Sequence, residues 1–174
     1  MADVRVLNGP RLSLRAPRIE DANVLFERIA SDPEVTRYLA WPTHPDVAET
    51  RRVITELFNV GTEHTWLLEL EDEAVGLCGW RPTSGHSVDI GYCLGRRWWG
   101  QGLMSEAVGL LLDDVRSDAS VYRVSAYCHV DNTASARVLE RSGLALEARL
   151  VRYGMFPNLS PEPQECLLFG KALR

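Results

Sequence analysis

The stretch Arg97-Trp98-Trp99-Gly100-Gln101-Gly102 lies between an apolar strand-like run and a long amphipathic pattern, and it constrains the fold more than any other part of the chain. It reads R-x-x-G-x-G. Two glycines let the backbone approach a ligand with no Cβ in the way. Leu103, Met104, Ala107, Val108, Leu111, Leu112 and Val115 recur at helical spacing just after it. The free N–H groups of that helix and the positive end of its dipole would then point into the turn. Such a corner seats phosphate. A tight strand-to-helix turn that binds nothing has the same outline, and short motifs of this kind recur by chance. The rest of the chain decides between them.

The 174 residues are expected to form one domain, 1–174. An apolar share of 45% and a charged share of 25% fit a globular protein. The net charge is −5 and Lys171 is the only lysine, so nucleic acid is not expected as the main ligand. Backbone dipoles can still hold an anionic cofactor. Cys78, Cys93, Cys128 and Cys166 are scattered singly with no C-x-x-C, so no metal site is expected, and buried free thiols in a reducing compartment are. No apolar run is long enough to span a bilayer, and the N-terminus has no apolar leader core. A cytoplasmic protein without membrane contact is the expectation.

Leu12 to Leu14 reads as a short strand. Ala22, Leu25, Phe26, Ile29 and Ala30 mark a first helix, ended by Asp32-Pro33. A second helix is expected from Pro45-Asp46 to Val60, with Gly61 after its last turn. His64–Leu70 and Ala74–Arg81 read as a hairpin around Glu71-Asp72-Glu73, followed by a strand over Ser87–Leu94. Gly91 inside that strand predicts a bulge or a close backbone approach. A strand over Val121–Cys128, a helix from Asp131-Asn132-Thr133 to about Ser142, and strands over Leu144–Val151 and Glu165–Phe169 complete the chain, with a proline-rich loop over Phe156–Pro163. The order β-α-α-β-β-β-α-β-α-β-β predicts an α/β (α+β) fold: a mixed, mainly antiparallel seven-stranded sheet with helices on both faces. The glycine turn follows the fourth strand, not the first, which disfavours a dinucleotide-binding domain.

Ile90-Gly91-Tyr92-Cys93-Leu94, Trp99-Gly100-Gln101-Gly102-Leu103 and Glu106-Ala107 together resemble the acetyl-CoA motif of the Gcn5-related N-acetyltransferases. Asp131-Asn132-Thr133-Ala134-Ser135-Ala136-Arg137 through Leu144 resembles the second motif of the subgroup that acetylates the N-termini of ribosomal proteins. Leu12–Arg15, Glu20-Asp21-Ala22 and Tyr38–Pro42 are similar to that subgroup too, so the resemblance covers nearly the whole chain.

The resemblance implies an acyl-CoA N-acyltransferase fold with two splayed central parallel strands. It implies that the coenzyme A pyrophosphate meets backbone N–H groups from Arg97 through Trp98, Trp99, Gly100, Gln101 and Gly102 to Leu103. The pantetheine arm would bond to the backbone of Tyr92, Cys93 and Leu94, and to Asn132, which could equally be a helix cap. Of the two tryptophans, Trp99 is expected to pack beneath the turn. Ser135 would protonate the departing thiolate, or simply bond to its own helix. Many relatives hold a tyrosine acid where this chain has Leu139. Asp89 is the first candidate for the base that deprotonates the amine, with Glu165, Glu162 and His129 behind it.

The expected activity is direct acetyl transfer from acetyl-CoA to a primary amine. The acceptor is a protein N-terminus or a small molecule such as a polyamine, amino acid or amino sugar. Its pocket is expected between the first two helices, the Tyr38–Thr43 connection and the proline-rich loop. A homodimer is compatible with the resemblance. A non-catalytic acyl-CoA sensor of the same fold is the alternative.

Overall fold

A computed structural model of the protein describes residues 4–174. Eight strands form one sheet in the order β1-β2-β3-β4-β5-β6-β8-β7. They are β1 (Leu7–Asn8), β2 (Leu12–Arg15), β3 (His64–Leu70), β4 (Glu73–Ser84), β5 (Ser87–Leu94), β6 (Arg123–His129), β7 (Ala145–Gly154) and β8 (Gln164–Ala172). Every neighbouring pair is antiparallel except β5 and β6. Seven strands are those the sequence predicts. The eighth, β1, is a two-residue edge paired with Leu14 and Ser13, too short to carry a periodic signal.

Helices cover both faces. The long helix is α4 (Leu103–Ser117), and all seven of its predicted inward residues are buried. They pack on Leu14, Trp66, Leu68, Val88, Ile90 and Val124. The opposite face carries α1 (Ala22–Leu25) and α3 (Val47–Glu56), whose Leu25 and Ile54 pack with Ile29 on Leu67, Leu77 and Cys93. The chain continues helically from α1 through a widened turn that Ser31 closes by donating its N–H to Phe26 O at 3.0 Å. Asp32-Pro33 ends that helix as expected. Asp32 also caps a short further helix, α2 (Pro33–Thr36), by accepting from the Glu34 N–H at 3.0 Å.

The α3 helix stops at Glu56, four residues short of the expected Val60. Asn59 explains the early stop. Its amide accepts from the Thr65 N–H at 2.7 Å and donates to Thr65 O at 3.0 Å, so it pairs like a strand residue with the start of β3. A side chain serving as a strand mimic overrides local helix preference.

The parallel contact of β5 and β6 is brief. Ser87 pairs with Arg123, Val88 with Val124 and Asp89 with Ser125. Beyond that point β5 stays with β4 as far as Leu94, and β6 stays with β8 as far as His129. The two strands part and leave a wedge. The expected bulge at Gly91 is not what opens it. Gly91 keeps regular register with Gly79, and a Cβ built on it would meet no atom within 4 Å. It is a gap in the wall.

The first turn of α4 is pinned from outside the helix. Glu106 accepts from the N–H groups of Arg11 at 2.8 Å and Leu12 at 3.0 Å, and from Arg11 Nε at 2.8 Å. Arg11 in turn donates to Gln101 O at 2.9 Å. Burial pushes the Glu106 carboxyl up, but these donors outweigh it and hold the group below its ordinary value. A lowered carboxylate stabilises the fold above its unfolded-state value and loses that contribution as pH falls through the folded one. Glu106→Ala is therefore expected to cost about 2–3 kcal/mol near neutral pH, seen as a fall of roughly 5–10 °C in Tm. The gap to wild type should narrow on acidification below the usual carboxylate range. A gap that stays constant with pH would overturn the assignment.

Candidate active site

The wedge is bordered on one side by β5 and on the other by β6 and α5 (Thr133–Arg141). Its mouth is the turn before α4. Gly100 and Gly102 hold φ of +75° and +76°, a region that side chains rarely enter. Gly102 is the N-cap residue and brings no side chain to cap the helix. Among the described residues, the N–H groups of Gly100, Gln101, Gly102 and Leu103 donate to no backbone or side-chain acceptor. Free donors gathered at a helix N-terminus are what a diphosphate requires.

The two tryptophans exchange the places expected of them. Trp98 is 7% exposed and packs into the core, with the guanidinium groups of Arg28 at 5.5 Å and Arg97 at 5.6 Å from its ring centre. Trp99 is 47% exposed and does not pack beneath the turn. Its indole N–H donates to Leu94 O at 2.7 Å. A single tight turn over Arg96–Trp98 separates the strand from the glycines, and its geometry sends the first indole inward. Arg97 also approaches Glu73 at 4.0 Å, and Arg96 approaches Asp32 at 3.2 Å, so both arginines face carboxylates.

Ladder alternation sorts the three β5 residues expected to offer backbone groups. Gly95 donates to Val75 O at 2.8 Å, so Cys93, two residues earlier, also turns its peptide groups toward β4. Tyr92 turns its own toward the wedge. The outward carbonyl of Leu94 is occupied by Trp99. Of the three, Tyr92 offers both its N–H and its carbonyl to an arm, and Leu94 offers its N–H alone. Leu103, at the start of α4, is buried in the core and has only its N–H to offer.

Two polar groups of different character flank the wedge. On the α4 and α5 face, the Tyr92 hydroxyl lies 2.9 Å from Ser135 Oγ and donates to Ser135 O at 3.2 Å. Burial pushes the Tyr92 phenol far above its ordinary value, so it remains a donor. Burial likewise lifts the nearby Cys128 thiol to about 11, against the pull of a hydrogen bond from Ser135. Asn132 caps α5 by accepting from the Ser135 N–H at 3.1 Å, which leaves its amide N–H₂ uncommitted among the described residues. Leu139 is in the core, so no acid can come from its place. The sequence marked Tyr92 for its backbone alone. The hydroxyl pairing was hidden because it joins a strand to a helix 43 residues away.

Asp89 is on the other face, at the last paired register before the strands part. Burial pushes its carboxyl up, while Arg81 at 3.6 Å and the Ser125 hydroxyl at 3.4 Å pull it down; burial prevails. It borders a cavity of about 280 Å³. The reserve candidates are otherwise engaged. Glu165 is paired with Arg149, and Glu162 with Arg152 at 2.9 Å. His129 is buried at the end of β6, stacked on Tyr38 at 5.0 Å and edge-on to Phe156 at 5.1 Å. Its Nδ1 accepts from the Asp131 N–H at 3.1 Å, so the neutral ring carries its proton on Nε2 and is a donor there. Cys93 and Cys128 pack as expected, and all four thiols are free.

The segments expected to line an acceptor pocket are tied together by one residue, Asn158 of the proline-rich loop. It donates to Thr36 O at 2.8 Å and Trp41 O at 2.9 Å and accepts from the Thr43 N–H at 2.8 Å. Among the described residues no helix is long and apolar enough to cross a membrane.

The sequence and the fold have known relatives. Residues 11–145 match the family model of the acetyltransferase (GNAT) domain. The uncharacterized N-acetyltransferase p20 of Bacillus licheniformis is 33% identical over 157 residues, which span 86% of this chain and 88% of the relative. Two solved structures share the fold. The acetyltransferase from Salmonella typhimurium that modifies the N-terminal serine of ribosomal protein L7/L12 aligns with a TM-score of 0.84 at 21% identity, covering 97% of this chain and 99% of that one. Spermidine N-acetyltransferase from Vibrio cholerae, solved with CoA and spermine, aligns at 0.80 and 14% identity, covering 95% and 97%. The chain belongs to the GNAT acetyltransferase family, and it is an N-acetyltransferase with acetyl-CoA as its cosubstrate.

Proposed function

We propose that the protein acetylates a primary amine by direct attack, with the cofactor in the wedge between β5 and β6 and the acceptor on the Asp89 face. The carrying observation is the parting of the two strands just after Asp89 and Ser125, next to a turn whose N–H groups have no partner. The residues fit the group. Gly100, Gln101, Gly102 and Leu103 would hold the pyrophosphate, the Tyr92 backbone and the Asn132 amide would hold the pantetheine arm, and Trp99 would flank the mouth. Acetyl-CoA supplies the acetyl thioester that the amine attacks.

The chain's own residues then divide the proton work. A protonated amine has no lone pair, so it must first lose its proton. Asp89 takes it, directly or through one water. A thiol ionises near 8.5, so a leaving thiolate needs little help at neutral pH. When the Tyr92 O–H turns from Ser135 O to Ser135 Oγ, the serine proton is free to offer the thiolate a hydrogen bond, and a full proton transfer is not required. Two known kinds of acceptor are compatible with the fold: the solved relatives act on a ribosomal-protein N-terminus and on spermidine.

Three outcomes are expected. CoA should raise Tm and NAD should not. Gly102→Val forces a branched side chain into a left-handed turn at a cost of about 1–2 kcal/mol. Calorimetry should then show CoA affinity reduced about tenfold or more, while the fold survives with Tm lower by roughly 2–8 °C. Unchanged affinity would move the seat elsewhere.

The pH profile tests Asp89. Because its carboxyl is raised, turnover should decline on acidification at a pH above the ordinary carboxylate range. Asp89→Asn should slow turnover more at pH 7 than at pH 9, where a larger share of the amine has already lost its proton. An equal loss at both would remove it as base. The same variant should melt no lower than wild type near neutral pH, since a raised carboxyl lowers stability as pH rises from its unfolded value through its folded one.

Ser135→Ala and Tyr92→Phe should each reduce kcat about tenfold, with the KM for acetyl-CoA within about twofold. The double variant should be no slower than the slower single one, as for two groups acting as one. Additive losses would separate them.

A further inference from the structure

The cavity beside Asp89 has a charge pattern that discriminates among amines. It is bordered by Arg81, Asp89, Arg123, Ser125, Tyr127 and Tyr153. Two guanidinium groups therefore face one carboxylate. Their situations differ. Arg123 is committed: its fork is bound by Glu147, with one bond at 2.9 Å. Arg81 reaches Asp89 only at 3.6 Å, too long for a hydrogen bond, and its side chain is 54% exposed. It projects from β4 directly opposite Asp89 on β5. Its N–H groups are available to a ligand that enters the cavity.

The geometry points to an acceptor that carries an anionic group a few bonds from its amine, such as an amino acid or a peptide with an acidic first residue. The inference rests on the acetyl-transfer reading above and narrows it. The amine would meet Asp89 and the anion would meet Arg81, bidentately where it is a carboxylate. A volume of about 280 Å³ suits a ligand of this size, just below the drug-sized range that begins at about 300 Å³. A polyamine fits poorly, because its second ammonium would meet Arg81 with no free carboxylate to receive it. The site also couples recognition to basicity. Arg81 lowers the proton affinity of Asp89. An acceptor that draws the guanidinium onto its own anion relieves that pull, so the right substrate strengthens the base that must deprotonate it.

The test compares thiol release from acetyl-CoA with an aspartate-initiated peptide amide, its asparagine counterpart and spermidine. Wild type should favour the aspartate peptide over the asparagine one by about 10–100-fold in kcat/KM, the range of a charge-assisted hydrogen bond. Arg81→Gln should bring that ratio to within about twofold, and Arg81→Glu should reverse it and raise turnover of spermidine. The CoA-induced rise in Tm, retained in both variants, shows that they fold. A wild-type preference for spermidine, or an unchanged peptide ratio in Arg81→Gln, would overturn the acceptor class alone. No turnover by wild type on any amine would overturn the acetyl-transfer reading and this inference with it.

Discussion

Three paired residues hold the centre of this sheet together. Ser87, Val88 and Asp89 meet Arg123, Val124 and Ser125, and after them no backbone bond joins β5 to β6. A parting of this kind in mid-sheet is costly unless something satisfies the exposed peptide groups. Each strand keeps its outer partner, so only the inward edges are open. The open edge of β5 is short. One of its carbonyls, at Leu94, is already served by an indole, and the Tyr92 hydroxyl reaches across to α5. The residual demand on β5 includes both backbone groups of Tyr92, and a ligand with amide groups of its own can meet it. The wedge offers open backbone groups to the proposed cofactor because it is an unfinished sheet.

The same parting sets which chemistry is available on each side. Alternation places Asp89 and Tyr92, three residues apart on β5, on opposite faces. The acidic face is bordered by charge: Arg81, Arg123 and a carboxyl whose proton affinity is raised by burial. The other face is bordered by neutral hydroxyls and a thiol that burial keeps protonated. One strand therefore separates a proton acceptor from hydrogen-bond donors by the thickness of a sheet. On the reading proposed above, the first would serve the incoming amine and the second the departing sulfur.

Local signals were legible in the sequence, and pairings across distance were not. The glycine turn, the buried stripe of α4, the cap at Asn132 and the order of seven strands follow from spacing and residue type. Adjacent tryptophans defeat such reasoning, because one tight turn decides which ring goes inward and both have the same composition around them. The Glu106 anchor to Arg11, the Asn158 latch and the Tyr92–Ser135 pair join residues 95, 115 and 43 positions apart. Each depends on a fold that local pattern only outlines. Gly91 shows the limit from another side. A glycine within a strand signals either distortion or room, and here it provides room.

The long-range anchors share a purpose that no single motif reveals. Glu106 and Arg11 fix the glycine turn from the sheet edge, through the Gln101 carbonyl, without using the N–H groups a phosphate needs. The Asn158 side chain fixes the proline-rich loop to backbone atoms of the Thr36–Thr43 segment and to the Thr43 hydroxyl, leaving the side chains of Tyr38 and Trp41 unused by the latch. In both places the scaffold draws on groups the site does not require. A turn held by its carbonyl can keep its donors free, and a segment held mainly by its backbone leaves most of its side chains uncommitted. The turn before α4 and the Thr36–Thr43 segment are thus fixed independently of each other, each through groups that leave its own outward-facing atoms free.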